Sequence, residues 1–555
     1  MKNFNKLLIN AVSIWFILLS VSFSQTDTVI VPDNYDGDYY GAINRFIKEN
    51  PGHGYYKLEV GKYYLLNAPI EPDSNLNTFR LIADKPDPTD PSKFPAVVAM
   101  GDIPSDRLLR FFILDEDARF ENIYFLGAHP TLNLDVNVPI EIIKNGGKYY
   151  FDGCYFDRSE WVGIMVTAID VSVKVTNTLV KNFIHPSSRW NARFLSFRDN
   201  PVDTCIMTNN TYYSANFVFL DGRKNIFNYL QFEHNTLVNV MKWPIQWQWA
   251  TNAEINDNLY YNAHAFGEGP NDLPGQDFDG LLFGLVNVDT LLTEHHNAGL
   301  TEMNRKVEVK NNNWFYSQEI TNYWDSFSSS QGVEYEPFMN TRTQHMFDSD
   351  DEWPGLIESD TRNLDPGLKS IEGTDEMVDW MGKDRTYQSR TWWFPDADGN
   401  PFTITWPLRE DLSYTNTELE TGGQAGFPVG DLNWWGDDKV SEWEIWRDTV
   451  TVGVKKNSIG ITLDNYSLEQ NYPNPFNPST VISYSIPKTS NVQLSVYNSL
   501  GQKTATLVNQ KQNSGSYSVN WNGKDQLGNS VSTGIYFYQI RTGNFIESRK
   551  MILLR

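Results

Sequence analysis

The chain has 555 residues, of which 40% are hydrophobic and 14% aromatic. That is enough apolar material for two or three folded domains and excludes a wholly disordered chain. A formal net charge of −24 excludes a nucleic-acid binder, which needs clustered Lys and Arg, and suits an extracellular protein that meets divalent cations.

Residues 1–24 read as a signal peptide. Lys2 and Lys6 precede an apolar run over 7–19 that is short for a membrane span, and Ser22-Phe23-Ser24 supplies small residues for cleavage. No other span is visible, so a secreted or cell-surface protein is expected, not an integral membrane one. Residues 39–50 carry Tyr40, Ile43, Phe46 and Ile47 on one helical face and stop at Asn50-Pro51-Gly52. An alternating strand over 57–65 follows, with a turn at Gly61.

From 151 to 315 one short phrase recurs: apolar, polar, Asn/Asp/Gly/His, small or Asn, any, apolar. Its members include Phe151-Asp152-Gly153-Cys154-Tyr155-Phe156, Met207-Thr208-Asn209-Asn210-Thr211-Tyr212 and Phe232-Glu233-His234-Asn235-Thr236-Leu237. With an earlier copy at 120–125, the third positions fall at 122, 153, 177, 209, 234, 257 and 311. A recurrence of roughly 20–50 residues marks a solenoid or array, and a propeller needs a longer repeat of about 40–45. The β-rich flanks predict an all-β chain built on a right-handed parallel β-helix solenoid, with the 39–50 helix as N-terminal cap. Asn210, Asn235, Asn258 and Asn312 are then an internal ladder. Cys154 takes a ladder position and Cys205 does not, so two free thiols are expected, with Cys154 buried.

A second strand family lies at 163–167, 194–198, 217–221 and 245–249. Alternation turns Ile164/Val166, Leu195/Phe197, Phe217/Phe219 and Ile245/Trp247 inward, and Ser196/Arg198, Val218/Leu220 and Gln246/Gln248 outward. The wide 257–311 interval holds an insertion at 264–306, and insertions in solenoids gather on one face. The β-helix is assigned to 25–317. A loop-rich region over 318–451 reads as a wrap over the C-terminal end of the solenoid. A linker at 452–464 precedes a compact β-domain at 465–555, an immunoglobulin-like β-sandwich.

Three resemblances carry functional meaning. The helix followed by an apolar-x-x-Gly-x-Tyr strand resembles the entry of pectate-lyase-like β-helices. Gly426-Phe427-Pro428-Val429-Gly430-Asp431-Leu432-Asn433-Trp434 resembles a closing segment of secreted β-helix proteins in Bacteroidetes-type bacteria, which brings no known reaction. Asn471-Tyr472-Pro473-Asn474-Pro475-Phe476-Asn477-Pro478, the strand-turn Tyr497-Asn498-Ser499-Leu500-Gly501 and the basic-apolar tail 548–555 closely resemble the type A C-terminal sorting domain of the type IX secretion system. That resemblance implies the secretion machinery as a partner, with release or surface attachment afterwards.

Polysaccharide lyases on this fold use a basic side chain to take a proton beside a uronate carboxylate that a cation such as Ca²⁺ neutralises. Carried onto this chain, the candidate catalytic residues are Arg198, Asp221 and Arg223, with Arg193 and Lys242 as further bases. The candidate cation ligands are Asp199, Asp277 and Asp279. Trp243, Gln246 and Gln248 are the candidate sugar-binding residues. The competing readings are a surface ion-pair ladder for the charges and core filling for the tryptophans. Two functions follow: a polysaccharide-binding or polysaccharide-degrading protein, or a structural or adhesive surface protein without chemistry.

Overall fold

The computed structural model describes residues 28–447 and 467–554, apart from 38, 73–77, 102–109, 129–138, 186–187, 199, 223–224, 268–282, 298–299, 328–337, 386–403, 437, 469–470, 472–475, 477–479, 487–489, 499–500, 513–514, 527–528 and 543–544. Residues 1–24, where a signal peptide is expected, and residues 452–464, where a linker is expected, lie outside the described residues. The chain divides into two compact units, Met1–Val440 and Ser441–Arg555.

The first unit is a right-handed parallel β-helix. Among the described residues it has three parallel sheets, of eleven, nine and six strands, and the six central coils each add one strand to every sheet. The phrase seen in the sequence is the corner between the first and second sheets. Its opening residues stack in register as Phe120, Phe151, Val175, Met207, Phe232, Ile255 and Val309. Its closing residues stack as Phe125, Phe156, Val180, Tyr212, Leu237, Tyr260 and Trp314. Between them, Asn122, Gly153, Asn177, Asn209, His234, Asp257 and Asn311 all have φ between 51° and 61°. This left-handed conformation makes the corner, and Gly, Asn and Asp reach it at least cost.

The next position is the ladder. Asn210, Asn235 and Asn258 each donate from Nδ2 to the Oδ1 of the following Asn, at 2.9, 3.0 and 2.9 Å. Each of the four also donates to a backbone carbonyl of the preceding coil: Asn210 to Val175, Asn235 to Met207, Asn258 to Phe232 and Asn312 to Ile255. The Sγ of Cys154 lies 3.6 Å from the equivalent carbonyl, that of Phe120. Cys154 and Cys205 are free and buried.

Five residues beyond five of these corners a second left-handed column runs through Arg158, Asn182, Ser214, Asn239 and Asn262. It interrupts the second-sheet register, as Lys181 pairs with Tyr213 and the next partners are Phe183 and Ala215. Asn182 donates to Asp157 at 2.8 Å and Asn262 to Asn239 at 3.1 Å.

The N-terminal cap is the helix Ala42–Glu49, which buries Ala42, Ile43 and Ile47. Tyr40 is left out of its apolar face: Gly41 is left-handed, and Tyr40 instead bridges Leu65 and stays exposed. The third-sheet phase also differs at one coil. Leu220 pairs with Leu195 and Ile245 and joins the core, whereas Phe217 packs outside with Val218 and Trp243. A bend at 216–217 precedes a strand of only two residues, so strict alternation does not extend back through it.

Several described parts of 364–435 lie along the outer face of the second sheet. Leu412 packs on Tyr213, Val238 and Tyr261. Val429, Tyr414 and Leu419 pack with Leu259. Trp406 reaches back to donate to the Asp87 carbonyl at 2.7 Å and meets Tyr155 edge-on. The reason is compositional: this sheet turns apolar residues outward as well as inward, and a sheet apolar on both faces needs cover on both.

The second unit has a three-stranded and a four-stranded antiparallel sheet around its own core of Leu468, Phe476, Tyr484, Leu494, Trp521 and Tyr538 among others. It is an immunoglobulin-like sandwich. Phe476, from the Asn-Pro-Phe-Asn-Pro motif, is buried against Trp521 at 5.6 Å, and its backbone pairs with Ile552 and Leu554 of the tail.

Candidate ligand-binding face

The outer face of the third sheet gathers most of the described candidates. Stacking in register places Ile113, Glu141, Met165, Ser196, Asp221 and Gln246 in one outward row. Arginines from the flanks lie over it. Arg110 pairs with Glu141. Arg198 is left-handed, with φ 55°, and this swings its side chain toward the preceding coil. There its guanidinium carbon sits 4.8 Å from the Trp161 ring centroid and Nη2 lies 3.6 Å from Met165 Sδ. Arg193 pairs with Asp221 at 3.1 Å and lies over Phe217 at 4.8 Å.

Further along the face, aromatic rings and cations alternate. Trp190 meets Phe217 and Trp243 at 5.8 and 5.6 Å. The Lys242 ammonium, fully buried, sits 4.7 Å from the rings of Trp190 and Phe266. Arg189 lies over Phe266 at 4.6 Å and pairs with Asp384 at 3.0 Å. A cation over an aromatic face gains from the ring quadrupole, by about 0.5–2 kcal/mol as water is excluded. Trp161, Trp190 and Arg198 remain partly exposed. The face can therefore offer aromatic edges and guanidinium donors together.

The predicted residues separate as follows. Arg198 and Asp221 stand on adjacent coils, but Arg198 turns toward Trp161, and the described cation on Asp221 is Arg193. Asp221 is fully buried and accepts from the Ser196 hydroxyl at 2.8 Å. Arg223, Asp199, Asp277 and Asp279 lie outside the described residues. Trp243 is buried in the aromatic cluster beside Phe283 at 4.7 Å. Gln246 is half-buried in the outward row. Gln248 is buried and donates to Asp289 at 3.4 Å.

Two other buried carboxylates, Glu233 and Asp257, stand on other parts of the solenoid. Glu233 accepts from Gln231 and Asn256 on the first sheet, at 2.7 and 2.9 Å. Asp257 stands at a corner, 3.4 Å from His234. Among the described residues no three His, Cys, Asp or Glu side chains gather into a metal-binding group, and no helix is long and apolar enough to cross a membrane.

Sequence reading passed over Trp161 and Trp190. The available signal was positional, since Trp161, Trp190 and Trp243 each stand shortly before a third-sheet strand.

Residues 478–544 match the family model of the FlgD Ig-like domain. No curated protein matches the chain. Among solved structures, dimeric latent PorU from Porphyromonas gingivalis aligns with 16% identity over 16% of this chain and 9% of its own, with a TM-score of 0.15. FlgD from P. aeruginosa aligns with 22% identity over 16% of this chain and 69% of its own, with a TM-score of 0.13. The chain thus spans under a tenth of the PorU structure.

Proposed function

We propose that this is an exported, cell-surface or secreted β-helix protein that holds an acidic polysaccharide on the outer face of its third sheet. The observation that carries the reading is the partly exposed Arg198–Trp161 pair beside Arg193, a guanidinium and an indole presented together on an acidic protein. An aromatic face packs on sugar C–H groups while the guanidinium donates bidentately to a carboxylate. Binding, not cleavage, is the form supported, because the Asp221 carboxylate is buried and occupied by Ser196 and Arg193. Export through the type IX secretion machinery is supported by the motifs of the C-terminal sandwich quoted above.

The test is a panel of uronic-acid polysaccharides, with and without Ca²⁺, followed both for binding and for absorbance of unsaturated products. Binding is expected without product, and Trp161→Ala or Arg198→Ala should weaken it about tenfold. No binding to any member would sink the glycan reading. Product formation that Asp221→Asn abolishes would make it a lyase. For export, removal of residues 465–555 should leave the protein inside the cell envelope.

A structural or adhesive role is the second reading. It is favoured by ion pairs within single strands of the first sheet, Arg119–Glu121 and Lys310–Glu308. Adhesion of cells or beads carrying the protein, with no glycan binding, would select it.

A further inference from the structure

Segment 423–435 lies across the corner between the first and second sheets and crosses four coils. Gly423 and Gln424 sit at Asp257, where Gln424 N donates to Oδ1 at 3.0 Å. Gly430 N donates to the Asp257 carbonyl at 2.7 Å, and the Gly430 carbonyl lies 3.1 Å from His234 Nδ1. Asp431 N donates to Thr236 Oγ1 at 2.8 Å. Asn433 donates to the Asn209 carbonyl at 3.0 Å and reaches Asn177. Phe427 meets the His234 ring edge-on at 6.4 Å.

At the centre of this contact lies a buried carboxylate. Asp431 Oδ2 accepts from the Thr211 hydroxyl at 2.7 Å, and Oδ1 accepts from Asn433 N and Nδ2 at 2.9 and 2.8 Å. Trp434 Nε1 donates to the same Thr211 oxygen at 2.8 Å. The described cations near the segment are engaged elsewhere. Arg362 donates to the Gly422 carbonyl and pairs with Glu418, and Lys181 pairs with Glu410. The other titratable groups facing the contact are Tyr155, Tyr414, Glu420 and the His234–Asp257 pair.

We propose that segment 423–435 is a proton-dependent strap: it grips the solenoid corner with Asp431 neutral, and its grip loosens as Asp431 ionises. Neutral Asp431 reverses one bond, donating from Oδ2 to Thr211 Oγ1, and keeps both bonds from Asn433. An ionised carboxylate keeps its three donors but loses bulk water with no cation beside it among the described residues.

Burial pushes the Asp431 carboxyl up to about 6, against the lowering effect of Thr211 and Asn433. A carboxyl raised in the docked state stabilises docking fully below its free value near 4 and loses that contribution as pH rises through 6. Asp257 is raised by burial too, so its titration acts in the same direction. His234 Nδ1 faces the Gly430 carbonyl, which can only accept, so the ring nitrogen is the donor in that contact.

The test is hydrogen exchange of the full-length protein at pH 5 and 7.5, with protection factors corrected for intrinsic rates. Peptides within 423–435 should lose about tenfold protection at the higher pH, while a peptide covering Lys306–Lys310 should not change. In Asp431→Asn, neutral at both values, the loss should fall below threefold. Equal wild-type protection at the two pH values overturns the proposal, as does an undiminished loss in the variant. Should the variant fail to fold, the wild-type comparison decides alone.

Discussion

Asn235 sits in the middle of four stacked amides and makes five hydrogen bonds to four backbone or side-chain groups at once. It donates to Asn258 and to the Met207 carbonyl, accepts from Asn210 Nδ2 and from Asn210 N, and its own N–H donates to Asn258. All are buried, so truncation strands several groups without solvent to replace the partner. Asn235→Ala should destabilise the solenoid by about 3 kcal/mol, read from the denaturant midpoint of the intact protein. Cys154→Asn makes the reverse case. Its sulfur already lies by the carbonyl that a ladder amide would use, so the change should stay within about 1 kcal/mol of wild type. A loss of several kcal/mol would mean that the column does not extend to this coil.

At the scale of the element, the corner strap depends on one glycine. Gly430 has φ 94°, and a Cβ there would lie 2.5 Å from Thr236 Oγ1 and 2.9 Å from Leu259 Cβ. Gly430→Ala therefore strains the backbone and collides with the corner. It should cost about 2 kcal/mol and expose 423–435 to limited proteolysis before any first-sheet strand is cut. Among sheets, the second is apolar on both faces, which is why the loop-rich region lies along it. The hydrophobic period alone shows such strands only as near-continuous apolar runs and does not say which segment covers them. The same limit produced the local phase error at Phe217 and Leu220, where a bend and a two-residue strand break alternation.

Across the whole molecule, the two units have separate hydrophobic cores, so their unfolding should be separable. Calorimetry of the intact protein should show two transitions, and one should vanish on removal of 465–555 while the other keeps its midpoint within a few degrees. A single merged transition that shifts with the deletion would contradict that independence. The coil repeat, the left-handed corners and the Asn ladder were legible in the residues, because each coil must solve the same backbone problem with Asn, Asp, Gly or His at the same place. The C-terminal sandwich was legible because its turns and alternating strands are local. The partners of side chains on the outer faces were not. Whether Arg198 reaches forward to Asp221 or back to Trp161 depends on its φ, and whether Trp243 is a platform or buried depends on Trp190 and Phe283 arriving from other coils. Repetition along the chain encodes register, which is a property of neighbouring strands; occupancy of a face is set by segments distant in sequence, and only their packing reveals it.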